Sequence, residues 1–243
     1  MKFLSLFFVS FLMLGCFTKN NPSTDGEMII NQSISVHDPQ NSWENAFFEI
    51  HIQEPRISNP YRYSIVKINN STNTFELSRN RDEYISKHII NEEGESYVLL
   101  DDKVTTDSVL IKKYRLDPSR NTRYQEFYNM MYGLPMSLKD FTQSYFKTSE
   151  VEFNNELAYK IELELKKPII SEFWNIFIDR KTNEILGIEI IFPKDPEKGE
   201  RIYFNETILL SKMKIPRIRN WHAYNDDIYS GTDVIVKSFA DDL

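Results

Sequence analysis

Apolar and polar residues alternate at period two over most of this chain. Phe48, Ile50 and Ile52 alternate with Glu49, His51 and Gln53, and Tyr61, Tyr63 and Ile65 repeat the pattern. Residues 75–77, 84–90 and 97–100 continue it, separated by the turn-rich pieces 69–73, 79–82 and 91–94. Successive side chains on a strand point to opposite faces, so short strands with one buried face are predicted, arranged as an antiparallel meander. In the second half Leu157, Tyr159, Ile161, Leu163 and Leu165 alternate with Ala158, Lys160, Glu162, Glu164 and Lys166, a regular amphipathic strand. Residues 173–178, 185–192, 201–210, 213–224 and 232–239 bring the expected total to ten or eleven strands, with 179–183 as a hairpin turn.

Two segments follow the helical period instead. Met28, Ile29, Ile30, Ile34 and Val36 suit a short amphipathic helix, capped by Thr24 or Asp25 and ended by Asp38-Pro39. Tyr124, Phe127, Tyr128, Met131 and Tyr132 predict a helix over 119–132, stopped by Gly133-Leu134-Pro135. The strand at 173–178 is apolar on both faces, with Asn175 its only polar member. Such a strand is covered on both sides, by helices on one and by folded-over sheet or a ligand cavity on the other. A plain packed core fits the same residues, because aromatic side chains are good strand formers. No repeat and no change of composition divides the chain, so residues 26–243 are expected to form one domain.

The amino terminus has a different character. Lys2 precedes an apolar run over 3–14, and Gly15 precedes Cys16, the only cysteine. That is the layout of a secretory signal peptide, too short for the roughly 20 residues a membrane span needs. Leu12-Met13-Leu14-Gly15-Cys16 looks like a bacterial lipobox, which implies removal of residues 1–15 and lipidation of Cys16. Residues 16–25, polar and containing a proline, read as a tether. Acyl chains on Cys16 would anchor the protein in a membrane without any spanning segment. Phe17 after the cysteine, rather than aspartate, points to the outer membrane.

Loss of Lys2 takes the formal net charge from −7 to about −8. With no Lys/Arg-rich run, the expected surface repels nucleic acid and anionic headgroups. The four histidines, His37, His51, His88 and His222, have no metal-ligand spacing. HExxH, GxSxG and phosphate-binding glycine motifs are missing from the sequence. No catalytic residue, metal or cofactor is therefore predicted; an enzyme would need His37, His222 and an acid such as Asp38 to converge. Asp101-Asp102, Asp226-Asp227 and Asp241-Asp242 read as solvated turns, and Asp107-Ser108-Val109 loosely resembles a bacterial O-glycosylation acceptor. Segments 36–43 and 132–140 read as helix stops, with Trp43 at the core edge and His37 in a local hydrogen bond. Alternatively His37, Trp43, Tyr132 and Trp221 form the rim of a cavity mouth.

A resemblance rests on these same segments. The lipobox, Ser35-Val36-His37-Asp38-Pro39 with Trp43, Tyr132-Gly133-Leu134-Pro135-Met136, and residues 209–221 followed by Gly231-Thr232-Asp233 resemble an uncharacterised lipoprotein family of Bacteroidota, a domain of unknown function. Ser211-Lys212 replaces that family's usual glycine. More distantly, the chain is similar to LolA-like outer-membrane lipoprotein carriers. This resemblance implies an α+β, mostly β fold: a strongly curved antiparallel sheet, an unclosed half-barrel with two or three helices on its concave face. It also implies a pocket for acyl chains, lined by Trp174, Phe177, Ile188, Ile190 and Phe204. The expected function is a non-catalytic, membrane-anchored envelope lipoprotein that binds a lipid or lipoprotein acyl chain. The alternative is a structural or interaction lipoprotein with a filled core and a protein partner.

Overall fold

Twelve strands form one antiparallel sheet in the computed structural model, which describes residues 22–240. The expected signal peptide, Cys16 and Asp241-Asp242 lie outside the described residues. The strands are β1 (Phe47–Gln53), β2 (Tyr63–Asn69), β3 (Thr74–Arg81), β4 (Tyr84–Ile90), β5 (Ser96–Leu100) and β6 (Thr142–Phe153). They continue with β7 (Glu156–Ile169), β8 (Ser171–Asp179), β9 (Ile185–Ile191), β10 (Glu200–Leu210), β11 (Met213–Ala223) and β12 (Tyr229–Ala240). Their order is β5-β4-β3-β2-β1-β12-β11-β10-β9-β8-β7-β6, so β1 and β12 join two meanders and the sheet ends unclosed at β5 and β6.

Among the described residues four α-helices accompany the sheet: α1 (Pro22–His37), α2 (Ser108–Tyr114), α3 (Asn121–Tyr132) and the single turn α4 (Leu138–Phe141). Helix α1 packs on β6, β8 and β11, whereas α3 touches β2, β3 and β4 from one meander and β7 from the other. One helix can reach both meanders only if the sheet bends around it, and α3 therefore occupies the inside of a half-barrel. No described helix is long and apolar enough to cross a membrane.

Twelve strands stand where ten or eleven are expected, because β6 has no clean alternation. It is an edge strand, and its burial pattern shows one buried residue, Phe153. Helix α2 was also not predicted. Asp107 caps it, its Oδ1 accepting from the backbone N–H groups of Val109 (2.8 Å) and Leu110 (3.2 Å). The Asp107-Ser108-Val109 triplet is thus a helix start. Helix α1 begins earlier than expected, with Pro22 in the first turn, so residues 22–25 of the expected tether are helical.

Strand β7 departs from its predicted alternation at one end. Leu157 is 56% exposed while Ala158 is buried. Ala158 belongs to a satellite cluster on the outer face with Phe153 and Phe177, whose rings stack at 3.8 Å between centroids. Strand β8 is buried on both faces, as its sequence predicts. Trp174, Ile176 and Ile178 enter the main core, and outward-facing Asn175 donates to Glu189 at 2.8 Å.

Register across the first meander grades the inner face. One row is wholly apolar: Phe48, Ile68, Phe75 and Ile90. The next reads Ile50, Val66, Leu77 and His88, and the third Ile52, Ser64, Arg79 and Ser86. The inside of the half-barrel thus passes from greasy to cationic along the strand direction.

Segments 36–43 and 130–138 form one packed unit. Both ring nitrogens of fully buried His37 are used: Ile185 N–H donates to Nε2 at 3.1 Å, so Nδ1 carries the proton and donates to Lys214 O at 2.7 Å. His37 therefore ties α1 to β9 and β11 through long-range bonds, in place of the expected local one. Asp38 accepts from the N–H groups of Ser42 (2.7 Å) and Trp43 (2.9 Å) and turns Trp43 inward. A Cβ added at Gly133 would lie 2.4 Å from the Trp43 ring, so only glycine permits this contact. Every residue from 130 to 138 is buried. His37, Trp43 and Tyr132 are accordingly interior packing residues and do not form a rim, because the end of α3 and its following turn occupy the space the rim would enclose.

Two outcomes follow for stability. Gly133→Ala overpacks the Trp43 contact and lowers stability by about 1–3 kcal/mol in urea unfolding. Burial lowers the pKa of both His37 and His88, the latter to about 4. The unfolded chain, with histidines near 6.5, takes up more protons in that window, so stability is full above pH 6.5 and falls as the pH drops towards 4. His88 alone accounts for a loss of about 3 kcal/mol. Urea midpoints measured across the window should fall with acid, and less steeply for His88→Phe.

Candidate functional site

At the polar end of the half-barrel a cleft of about 510 Å³ opens. Tyr124, Phe127 and Tyr128 of α3 form one wall, and Pro168 and Ile169 at the end of β7 with Ile170 of the turn into β8 form another. Arg56 and Arg62 reach it from the loop between β1 and β2, and Arg79 and Arg81 from the end of β3. Lys113 and Arg115 come from the end of α2, and Arg120 and Arg123 from the start of α3. The one acid of the lining, Glu126, is paired with Lys167.

Local structure explains the convergence. Arg79 and Arg81 follow Phe75 and Leu77 at period two on β3, so all four share the inner face. Asn121 fixes the start of α3: its Nδ2 donates to Ile89 O (3.0 Å) and Tyr97 O (2.9 Å), and its Oδ1 accepts from His88 Nδ1 (2.8 Å). That clamp to β4 and β5 sets Arg120 and Arg123 facing the strand arginines.

Behind the cleft lies a buried ionic layer. Glu54 Oε2 accepts from Arg62 Nε (3.0 Å) and Ser64 Oγ (2.6 Å), with Arg79 at 3.4 Å. Arg79 Nε donates to Ser64 Oγ (2.8 Å), and its Nη2 donates to the Tyr128 hydroxyl. Burial acts to raise the Glu54 pKa, but the guanidiniums of Arg79 and Arg62 outweigh it and hold the carboxyl below its ordinary value. Asp233 receives Arg56 Nη2 (2.7 Å) on one oxygen and Trp221 Nε1 (2.8 Å) on the other. Burial, and then the charge of Glu54, push its pKa up.

In front of that layer cations outnumber acids: Lys113 pairs with Asp82 at 2.9 Å, and four arginines have no such partner. Among the described residues Arg81, Arg115, Arg120 and Arg123 make no ion pair. Burial and the adjacent Arg79 push the Arg81 pKa down to about 10. The acidic composition predicts a surface that repels anionic headgroups; this cleft has the opposite sign, because net charge sums the chain while the field at a concavity is local.

Ile170 adds backbone strain, with φ of 69° in the left-handed region. A β-branched residue there is an outlier that costs of order 1–3 kcal/mol. It stands at the turn between β7 and β8 and is held on the cleft wall.

The chain belongs to DUF6503. That family is of unknown function, and its sequence profile matches residues 2–238. No curated protein matches the sequence. Among solved structures, a LolA superfamily protein from Nitrosomonas europaea superposes with a TM-score of 0.50 at 9% identity, over 90% of this chain and 94% of that one. A domain described as an outer membrane lipoprotein-sorting protein from Vibrio parahaemolyticus gives a TM-score of 0.49 at 11% identity, over 90% and 93%. At these identities the similarity concerns the fold alone: the DUF6503 chain is a LolA-like, unclosed antiparallel half-barrel.

The residues expected to line an acyl pocket lie elsewhere in this DUF6503 fold. Trp174, Ile188, Ile190 and Phe204 are buried together in the main core, and Phe177 sits on the opposite face in the satellite cluster. Strand periodicity separates Trp174 from Phe177, three positions apart, and none of the five lines the cleft. Trp221 alone of the expected rim approaches it, with Arg56 5.7 Å from its ring centroid. The arginines escaped sequence reading because they arrive from four segments and never form a run. Arg79 and Arg81 carry the available signal, an i, i+2 pair continuing an alternating strand, but the composition of 79–82 reads as a turn.

Glu54→Gln leaves Arg79 buried without its counter-charge, and stability falls by about 3–5 kcal/mol in urea unfolding. The exposed pair Lys113–Asp82 is the control, and Asp82→Asn leaves the midpoint in place.

Proposed function

We propose that this DUF6503 protein is a non-catalytic envelope lipoprotein, anchored through Cys16, that binds an amphiphile such as a lipid or a lipoprotein acyl chain. Its binding site is the cleft at the polar end of the half-barrel. The observation that carries this reading is the juxtaposition of an incompletely covered apolar wall, Phe127 with Pro168 and Ile170, and a cationic rim within one concavity. A volume of about 510 Å³ falls within the range of small-ligand sites. The strained Ile170 supports it, since strain held on a cleft wall is a mark of functional sites. The LolA-like fold supports it by analogy of fold only. A tethered molecule cannot shuttle between membranes, which favours a local receptor or acceptor at the outer membrane. Of His37, His222 and Asp38, whose convergence an enzyme would need, His37 and Asp38 spend their polar atoms on backbone groups in the interior and His222 Nδ1 bonds Asp227 O at 2.7 Å, which supports a non-catalytic role.

The test uses protein extracted from its own membranes and mass spectrometry of co-purified lipid, with uptake of a fluorescent C12 fatty acid as a second readout. Ile170→Asn is the decisive variant, because asparagine tolerates the left-handed backbone. It is expected to unfold within about 1 kcal/mol of the parent and to lose most of the uptake. Lipid-free protein that takes up no fatty acid would sink the reading.

A second reading, an interaction lipoprotein with a filled core, is favoured by the complete burial of residues 130–138 inside the half-barrel. It predicts a protein adduct, and no lipid, after photo-cross-linking from the cleft in native membranes.

A further inference from the structure

We propose that the cleft selects ligands carrying a phosphorylated, multiply charged head group, which the arginines outside the buried ionic layer would grip. The inference rests on the amphiphile reading for the tail, and concerns the head.

The buried layer already consumes its own acids. Glu54 is matched by Arg62 and Arg79, and Asp233 by Arg56, so these carboxylates are not available to the arginines in front of them. Arg81, Arg115, Arg120 and Arg123 then present guanidiniums to one opening from β3, α2 and α3. Holding like charges together without a counter-ion is unfavourable, and a net charge of −7 makes it no by-product of basic composition. An anion entering the cleft supplies what is missing. The buried guanidinium of Arg79 and hydroxyl of Tyr128 floor the opening, where low polarisability strengthens each charge interaction.

The residue type narrows the anion. Seven of the eight cations in the lining are arginine. A planar guanidinium donates two parallel bonds to tetrahedral oxyanions, so several around one point suit phosphate. A single carboxylate has too little charge to offset four unpaired arginines. Ile170 and Phe127 lie in the same cleft, so a phosphate at the arginines leaves an attached chain against the apolar wall. The phosphate could belong to a lipid or be free in solution, and the test separates these.

The full chain carrying Cys16→Ser is titrated calorimetrically with decyl phosphate, uncharged decyl glucoside and inorganic phosphate. Decyl phosphate is expected to bind at least about 10-fold more tightly than either, and to weaken between about 50 mM and about 300 mM salt. Arg81→Gln and Arg123→Gln should each weaken it about 10-fold, the loss of one charge-assisted hydrogen bond. Arg81→Gln should unfold at the same temperature as the parent or higher, because it relieves crowding against Arg79, and that keeps loss of binding distinct from loss of fold. Equal binding of decyl phosphate and decyl glucoside, unaffected by either variant, would overturn the head-group inference and leave the amphiphile reading standing. Inorganic phosphate binding as tightly as decyl phosphate would uphold the anion site and overturn the amphiphile reading. No binding of any of the three would overturn the inference, and lipid-free native protein would then decide the reading independently.

Discussion

One buried carboxylate holds the cationic end of this half-barrel together. Glu54 follows directly on β1 and meets Arg62 of the β1–β2 loop, Ser64 of β2 and Arg79 of β3, with the Tyr128 hydroxyl of α3 at 3.4 Å from its Oε1. An arginine on the inner face of a sheet is expensive to bury alone, since the desolvation cost is several kcal/mol per ion. With Glu54 in place, the inner face can change from apolar to charged within three rows of residues. Without it, neither the strand arginines nor the cleft in front of them has a stable position.

The rest of the interior is packed, and that determines where ligand space can be. Helix α3 and the turn after it fill the bend of the sheet, with Gly133 seated on Trp43, whose own segment is held by His37 and Asp38. A filled centre leaves the open volume at the end where α3 begins, between two chemically unlike walls. The outer face has its own small cover, the stacked Phe153 and Phe177 with the Glu189–Arg201 pair (2.8 Å), which explains why β8 is apolar on both sides without a second layer of helices.

Charge shows how a sum over the chain can mislead about a site. An acidic protein with no basic run reads as hostile to anions, yet eight cations line one concavity. They are drawn from a loop, a strand end and two helix ends, and each enters the sequence as an isolated residue or a spaced pair. Field strength depends on distances that only folding sets, through the inverse dependence of Coulomb energy on separation.

The period-two pattern by itself determined a mostly β, antiparallel fold, and helical spacing determined α3, because burying one face of each element demands those repeats. Edge strand β6 and seven-residue α2 were illegible for the same reason in reverse: little of either is buried, so no pattern marks them. The segments 36–43 and 132–140 stood out as sequence and proved to be partners, which no spacing along the chain could reveal. Tertiary structure alone decided that Trp174 and Phe177 face opposite sides, that the acyl-pocket candidates are core, and that the arginines meet. Periodicity carries the direction of a side chain relative to its own strand; it holds no information on which distant residues that side chain will find there.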